Sequence, residues 1–133
     1  YGECCTLASF DFIPSEDILR NGATLASCKI MTESVIHCPH AYGIILKHET
    51  SAIQIAYSGD TRPCAAFAST ALHSHILIHE ATFCDGLVEE ALEKRHSTIS
   101  EAISIGVAMK AEFTLLTHIS QRYAKTIPPF ASW

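Results

Sequence analysis

The sequence predicts an α/β fold. An apolar, β-prone run, Ala52–Tyr57, stops at Ser58-Gly59-Asp60 and gives way at Pro63 to an alanine-rich helical stretch. Further along, short apolar strands alternate with amphipathic helices, the pattern of packed sheet and helix layers. The chain has 133 residues, 48% hydrophobic and 17% charged, enough for one domain with a real core and too apolar for disorder.

In chain order, Tyr1–Leu25 carries few signals beyond a helical turn after Pro14 and a turn at Asn21-Gly22. Residues 1–33 read as a connecting region without an assigned role, and 34–127 as the motif-bearing part of one domain. Ser34–His37 reads as a short strand ending in His-Cys-Pro, and Ala41–His48 as an apolar strand. Glu49-Thr50-Ser51 is too short for a crossover, so Ala41–His48 and Ala52–Tyr57 form an antiparallel hairpin. Pro63–His73 is helical, with Phe67 and Leu72 as core contacts. His75–His79 is a buried strand. Asp85–Arg95 is amphipathic, with Leu87, Val88, Ala91 and Leu92 on one side. Thr98-x-x-Glu101 is a capping box that opens a helix over Ile99–Lys110, whose buried face carries Ile103, Val107 and Met109 with the alanines. Glu112–Thr117 is the last strand, with His118 at its end.

Composition narrows the function. The net charge of −5 disfavours a stand-alone nucleic-acid binder, whose attraction to phosphate is usually basic. No apolar run is long enough to span a bilayer, so no membrane partner is expected. The six cysteines include no C-x-x-C pair, which disfavours a zinc ribbon and suggests reduced, mostly buried thiols in an intracellular protein. The chain begins at Tyr1 without an initiator Met or a visible secretory signal, which reads as a processed or partial chain.

His37, Asp60, His79 and His118 each end or follow an apolar strand. Side chains at the C-terminal edge of one sheet converge on a single site. Imidazoles with a carboxylate suit zinc, manganese or iron in a hydrolytic centre. Spacing alone therefore points to a metal site without naming its reaction.

Longer blocks carry a resemblance. Tyr57-Ser58-Gly59-Asp60-Thr61-Arg62-Pro63-Cys64, His79-Glu80-Ala81-Thr82-Phe83, His96-Ser97-Thr98 and Leu116-Thr117-His118-Ile119-Ser120-Gln121-Arg122-Tyr123 resemble tRNase Z, the metallo-β-lactamase-fold endoribonuclease that cuts the 3′ trailer from precursor tRNA. His37-Cys38-Pro39-His40-Ala41-Tyr42-Gly43 resembles the family's earlier histidine motif. The blocks run in the family's order over most of the chain. The resemblance implies that His37, Asp60 and His118 are metal ligands, with Asp60 bridging two metals. It implies that Glu80 and His96 pass a proton at the scissile phosphate, with His96 as general acid. Ser120, Arg122 and Tyr123 match a segment that holds substrate phosphate, work for which a guanidinium is suited. His79 matches no ligand and reads as structural. The implied cofactor is zinc in a two-metal site, with manganese as an alternative. The implied partner is precursor tRNA.

The chain departs from the family in one respect. It lacks the His-x-His-x-Asp-His motif that supplies most of the ligands; His73-Ser74-His75 is followed by Ile76-Leu77-Ile78 instead. The expected fold is thus the carboxyl half of an αββα sandwich, incomplete here, with the missing amino-terminal portion of the same protein as a partner. The interval from His37 to Asp60 has no room for the tRNA-gripping arm of the short form. It resembles the carboxyl-terminal part of the long form, a eukaryotic enzyme of nuclei and mitochondria. On this reading the fragment alone is inactive. The alternatives are a non-catalytic truncated or decayed tRNase Z-like binding or scaffold protein, and a different hydrolase of the same fold.

Overall fold

The computed structural model describes residues 23–25 and 27–120. The turns expected after Pro14 and at Asn21-Gly22, and the positions of Arg122 and Tyr123, lie outside the described residues.

One six-stranded sheet runs in sequence order: β1 (Ala23–Leu25), β2 (Cys28–Ser34), β3 (Tyr42–His48), β4 (Gln54–Tyr57), β5 (Ile76–Glu80) and β6 (Phe113–Thr117). β1 to β4 form an antiparallel meander joined by short turns. β5 and β6 then add in parallel, and each parallel step needs a helical crossover. Helix α1 (Ala65–Thr70) makes the first crossing, and α2 (Val88–Lys94) with α3 (Ile99–Met109) the second. As expected, Thr98 and Glu101 form a reciprocal capping box at the start of α3. The mixed sheet bears out the α/β reading and the hairpin of β3 with β4.

The first long strand is Cys28–Ser34, not Ser34–His37. All seven of its residues pair with β3, from Cys28 opposite His48 to Ser34 opposite Tyr42. Beyond it Ile36 makes only an isolated bridge to Arg62, so His37 stands in a turn after the strand.

The helices cover one face of the sheet. There Ile45, Ala56 and Leu77 lie in adjacent strands and are fully buried, packed with Phe67, Ala68, Ala71, Ile105 and Met109. Phe67 is fully buried, a burial that contributes about 1.5–3 kcal/mol. A Cβ at Gly43 would lie 2.5 Å from the Phe67 ring, so glycine is what lets that ring rest on β3. Several expected core contacts are instead exposed: Leu72, Val88, Leu92 and Val107. In α3 the buried positions are Ile99, Ala102, Ile105, Gly106 and Met109, and the helix comes so close to β6 at Gly106 that a Cβ there would collide with the Thr114 side chain. Among the described cysteines only Cys64 is buried; Cys38 is exposed in the turn after β2.

The other face of the sheet is apolar and bare. Ile44, Tyr57, Ile78 and Leu115 are successive neighbours across β3 to β6. Leu115 is 58% exposed and Phe113 69% exposed, and among the described residues no element covers them. Half of a two-sheet sandwich would present such a face.

Candidate active site

The parallel arrangement of β4, β5 and β6 sets their C-terminal ends side by side, and the site is built there. β4 runs into Ser58-Gly59-Asp60. Gly59 has φ +60 and passes so close to β3 that a Cβ would lie 3.1 Å from the Tyr42 carbonyl oxygen, which leaves the turn to glycine. Asp60 follows it at the sheet edge. β5 ends in Glu80, and His118, with a left-handed φ of 55°, follows β6. His96 comes from the loop between α2 and α3, just after Arg95 ends α2 in the left-handed conformation. His37 comes from the turn after β2.

Glu80 is the hub of the polar network. It is 1% exposed. Its Oε1 accepts from Thr61 N at 2.8 Å and from His96 Nδ1 at 2.7 Å. Its Oε2 accepts from Thr82 N at 3.1 Å, Thr82 Oγ1 at 2.8 Å and Ser97 N at 3.1 Å. A buried carboxylate supplied with this many donors is stable in place, and its lone pairs are committed to the protein.

The histidines gather around it. The His96 ring lies 4.8 Å from that of His37 and 5.4 Å from that of His118, centroid to centroid. His118 Nδ1 is 3.5 Å from Asp60 Oδ1 and donates to Thr82 Oγ1 at 2.8 Å, the Thr82 hydroxyl proton being given to Glu80. His37 Nδ1 donates to the Arg95 carbonyl at 2.9 Å, while Arg95 Nη1 donates to the His37 carbonyl at 2.6 Å. Each of these imidazoles has Nδ1 fixed by a partner and, among the described residues, no partner at Nε2, the arrangement that orients a histidine for metal ligation or proton transfer. Ligand atoms of His37, Asp60 and His96 lie within 4.8 Å of one another, as do those of Glu80, His96 and His118. These residues fit a borderline metal such as zinc in donor type and in orientation.

All the predicted candidates among the described residues except Ser120 thus meet in this cluster. Ser120 stands just beyond His118, its N–H donating to the Thr82 carbonyl at 3.3 Å. His79 is fully buried on the helix-covered side, its Nδ1 donating to the Glu80 carbonyl at 2.7 Å. Burial holds its imidazole below the usual histidine pKa, against the raising effect of that bond and of the Glu80 charge. Sequence reasoning assigned no role to Thr61, Thr82, Ser97 or Arg62. The only signal for them was their place inside the quoted blocks, next to the residues they support.

The sheet and its helices superpose on the metallo-β-lactamase fold protein YhfI of Bacillus subtilis with a TM-score of 0.69 at 21% identity, covering 76% of this chain and 40% of that one, and so define a metallo-β-lactamase fold. No family model matches the sequence. Over 97 residues the chain is 56% identical to "Zinc phosphodiesterase ELAC protein 2" of Homo sapiens, covering 73% of this chain and 12% of that protein. Over 117 residues it is 47% identical to "Ribonuclease Z, mitochondrial" of Drosophila melanogaster, covering 85% of this chain and 15% of that protein. The crystal structure of a long-form RNase Z from yeast superposes with a TM-score of 0.75 at 37% identity, covering 80% of this chain and 15% of that one. The chain belongs to the ribonuclease Z (tRNase Z) family and corresponds to its carboxyl-terminal part. It spans 12–15% of the length of these curated relatives.

Proposed function

We propose that this chain carries the proton donor and part of the metal centre of an endoribonuclease that removes the 3′ trailer from precursor tRNA by phosphodiester hydrolysis. The observation that supports this best is the buried Glu80 bonded to His96 beside His37, Asp60 and His118. His37, Asp60 and His118 are the ligands this chain would contribute to zinc, or to manganese in its place. The remaining ligands of a two-metal site would come from a His-x-His-x-Asp-His segment in another part of the same protein. When bound, the metals would supply Lewis acidity at the phosphoryl group and activate the attacking water.

The chain's own residues do the rest. Glu80 holds His96 by Nδ1, so Nε2 is the atom that delivers a proton. As the bond from phosphorus to the 3′-oxygen breaks, His96 protonates that oxygen. The products are a tRNA with a 3′-hydroxyl and a trailer with a 5′-phosphate. Ser120, Arg122 and Tyr123 would hold the flanking phosphates, with Arg122 as the charged contact. The bare sheet face would pack against the amino-terminal portion that completes the sandwich. The Drosophila relative's name supports a mitochondrial location, and the family resemblance adds the nucleus. No helix among the described residues is long and apolar enough to cross a membrane.

The test compares this chain alone with the protein at its natural full length, each given zinc and a precursor tRNA with a 3′ trailer. The full-length protein is expected to cut at the trailer junction, while the chain alone does not cut and holds less zinc. Failure of the metal-loaded full-length protein to cut would favour the non-catalytic alternative, a scaffold that keeps the fold.

A further inference from the structure

Glu80 fixes the ring of His96, but a ring is only as well placed as the backbone that carries it. The segment 95–98 is a loop between two helices, and Arg95 at its start is in the left-handed conformation. The backbone groups of this loop are held from several sides. His96 N donates to the Ala91 carbonyl at 2.9 Å, and Ser97 N donates to Glu80 Oε2 at 3.1 Å. The His96 carbonyl accepts from Arg62 Nη1 at 2.7 Å.

Arg62 is well placed for that bond. Its side chain is 14% exposed and meets Glu101 with both terminal nitrogens, Nη1 donating to Oε2 at 2.7 Å and Nη2 to Oε1. Such a two-pronged pair fixes the plane of the guanidinium as well as its position. Glu101 is itself fixed, because it closes the capping box of α3 by accepting from Thr98 N at 2.9 Å. The Arg62 backbone N–H donates to the Ile36 carbonyl at 2.9 Å, next to His37. One residue, through its backbone N–H and its guanidinium, therefore ties the Asp60 turn, the His37 segment, the start of α3 and the His96 loop to one another.

We propose that Arg62 is the positioning residue for the proton donor: anchored on Glu101, it grips the His96 carbonyl and fixes the height of the His96 ring above the metal ligands. This rests on the reading of His96 as general acid. Three of the five guanidinium N–H groups of Arg62 are given to Glu101 and the His96 carbonyl, and its side chain is largely buried, so it acts through His96 and not on substrate.

The test uses the protein at its natural full length, loaded with zinc and assayed on precursor tRNA. Arg62→Leu should lower kcat about tenfold, as small misplacements of a catalytic group do, with KM little changed. Arg62→Lys keeps the charge but makes one bond where arginine makes several, and should recover part of the loss. In a His96→Ala background, Arg62→Leu should cost nothing further, since the group it positions is gone. Arg62→Leu combined with Glu101→Gln removes any penalty of a stranded carboxylate, so its low kcat in a folded protein would still report positioning. Amide hydrogen exchange at Ser97 gives a readout without substrate and should quicken in Arg62→Leu. An unchanged Ser97 exchange rate, or the full loss of kcat persisting on the His96→Ala background, would overturn the proposal. A rise in KM without a fall in kcat would also overturn it, by making Arg62 a substrate contact. If the wild-type protein cuts no precursor tRNA, the functional reading fails on its own, and Ser97 exchange alone decides the role of Arg62.

Discussion

His96 Nδ1 lies 2.7 Å from Glu80 Oε1, and the Glu80 carboxylate is buried behind it with both oxygens engaged by backbone and hydroxyl donors. The pair is directional: the carboxylate is locked into the fold, and the imidazole faces the ligand cluster. His96→Ala in the full-length protein should therefore lower kcat by about 10²- to 10⁴-fold, the usual share of a general acid. Glu80→Gln should follow it in direction, because the amide replaces an acceptor of His96 Nδ1 without its charge. Single-turnover cleavage, with zinc content measured alongside, separates this effect from loss of metal.

The proposed metal ligands should behave differently. Asp60 and His37 present donor atoms within 4.8 Å of one another and of His96, and His118 Nδ1 lies 3.5 Å from Asp60 Oδ1. His118→Ala and Asp60→Ala should lower bound zinc as well as activity, and a chelator should abolish cleavage until metal is restored. Metal analysis of the purified variants checks this; zinc retained at the wild-type level in both would place the ligands elsewhere.

The bare sheet face predicts the behaviour of the isolated chain. Ile44, Leu46, Tyr57, Phe113 and Leu115 are all exposed there. The 133-residue chain alone should bind a hydrophobic dye such as ANS and self-associate, and Leu115→Lys should reduce both. Dye binding and light scattering report it, and the full-length protein should show neither property.

Acid stability should depend on Glu101. Burial alone would raise its carboxyl, but hydrogen bonds from the Arg62 guanidinium and from Thr98 overcome that and hold it below the usual glutamate range. A carboxyl held lower in the folded state contributes stability that is present above its unfolded pKa, about 4.3, and is lost as pH falls through the folded value. Glu101→Gln should therefore flatten the acid limb below about pH 4.3, as read from denaturant midpoints across pH. An acid limb unchanged by the substitution would show that the Arg62 pair adds no pH-dependent stability.

Phe67→Ala removes the largest fully buried side chain among the described residues and leaves a cavity over Gly43. It should cost about 3–5 kcal/mol in denaturant unfolding.

The parts of the fold and site that follow from local chemistry were legible in the sequence. The capping box Thr98-x-x-Glu101 marks the start of α3 because both bonds form within one helical turn. Asp60 and His118 are found by their place just after apolar strands, since parallel strands bring their ends together. β2 was placed too late because Cys28–Ser34 is half polar on its own, and only its full pairing with β3 makes it a strand. The exposure of Val107 and Leu92 was missed because helical periodicity finds an apolar stripe but not whether anything covers it. The support given by Thr82 and Arg62 joins residues far apart in sequence, Arg62 to Glu101 above all, and no local pattern encodes such a pairing.

The most direct measurement is cleavage of a precursor tRNA with a 3′ trailer by the zinc-loaded full-length protein, wild type against Asp60→Ala and His96→Ala, with the trailer's 5′ end identified. The account predicts that the wild type releases a 5′-phosphorylated trailer and that both variants fail to do so at a comparable rate. Variants that cut as fast as the wild type, or a zinc-loaded wild type that does not cut, would contradict it.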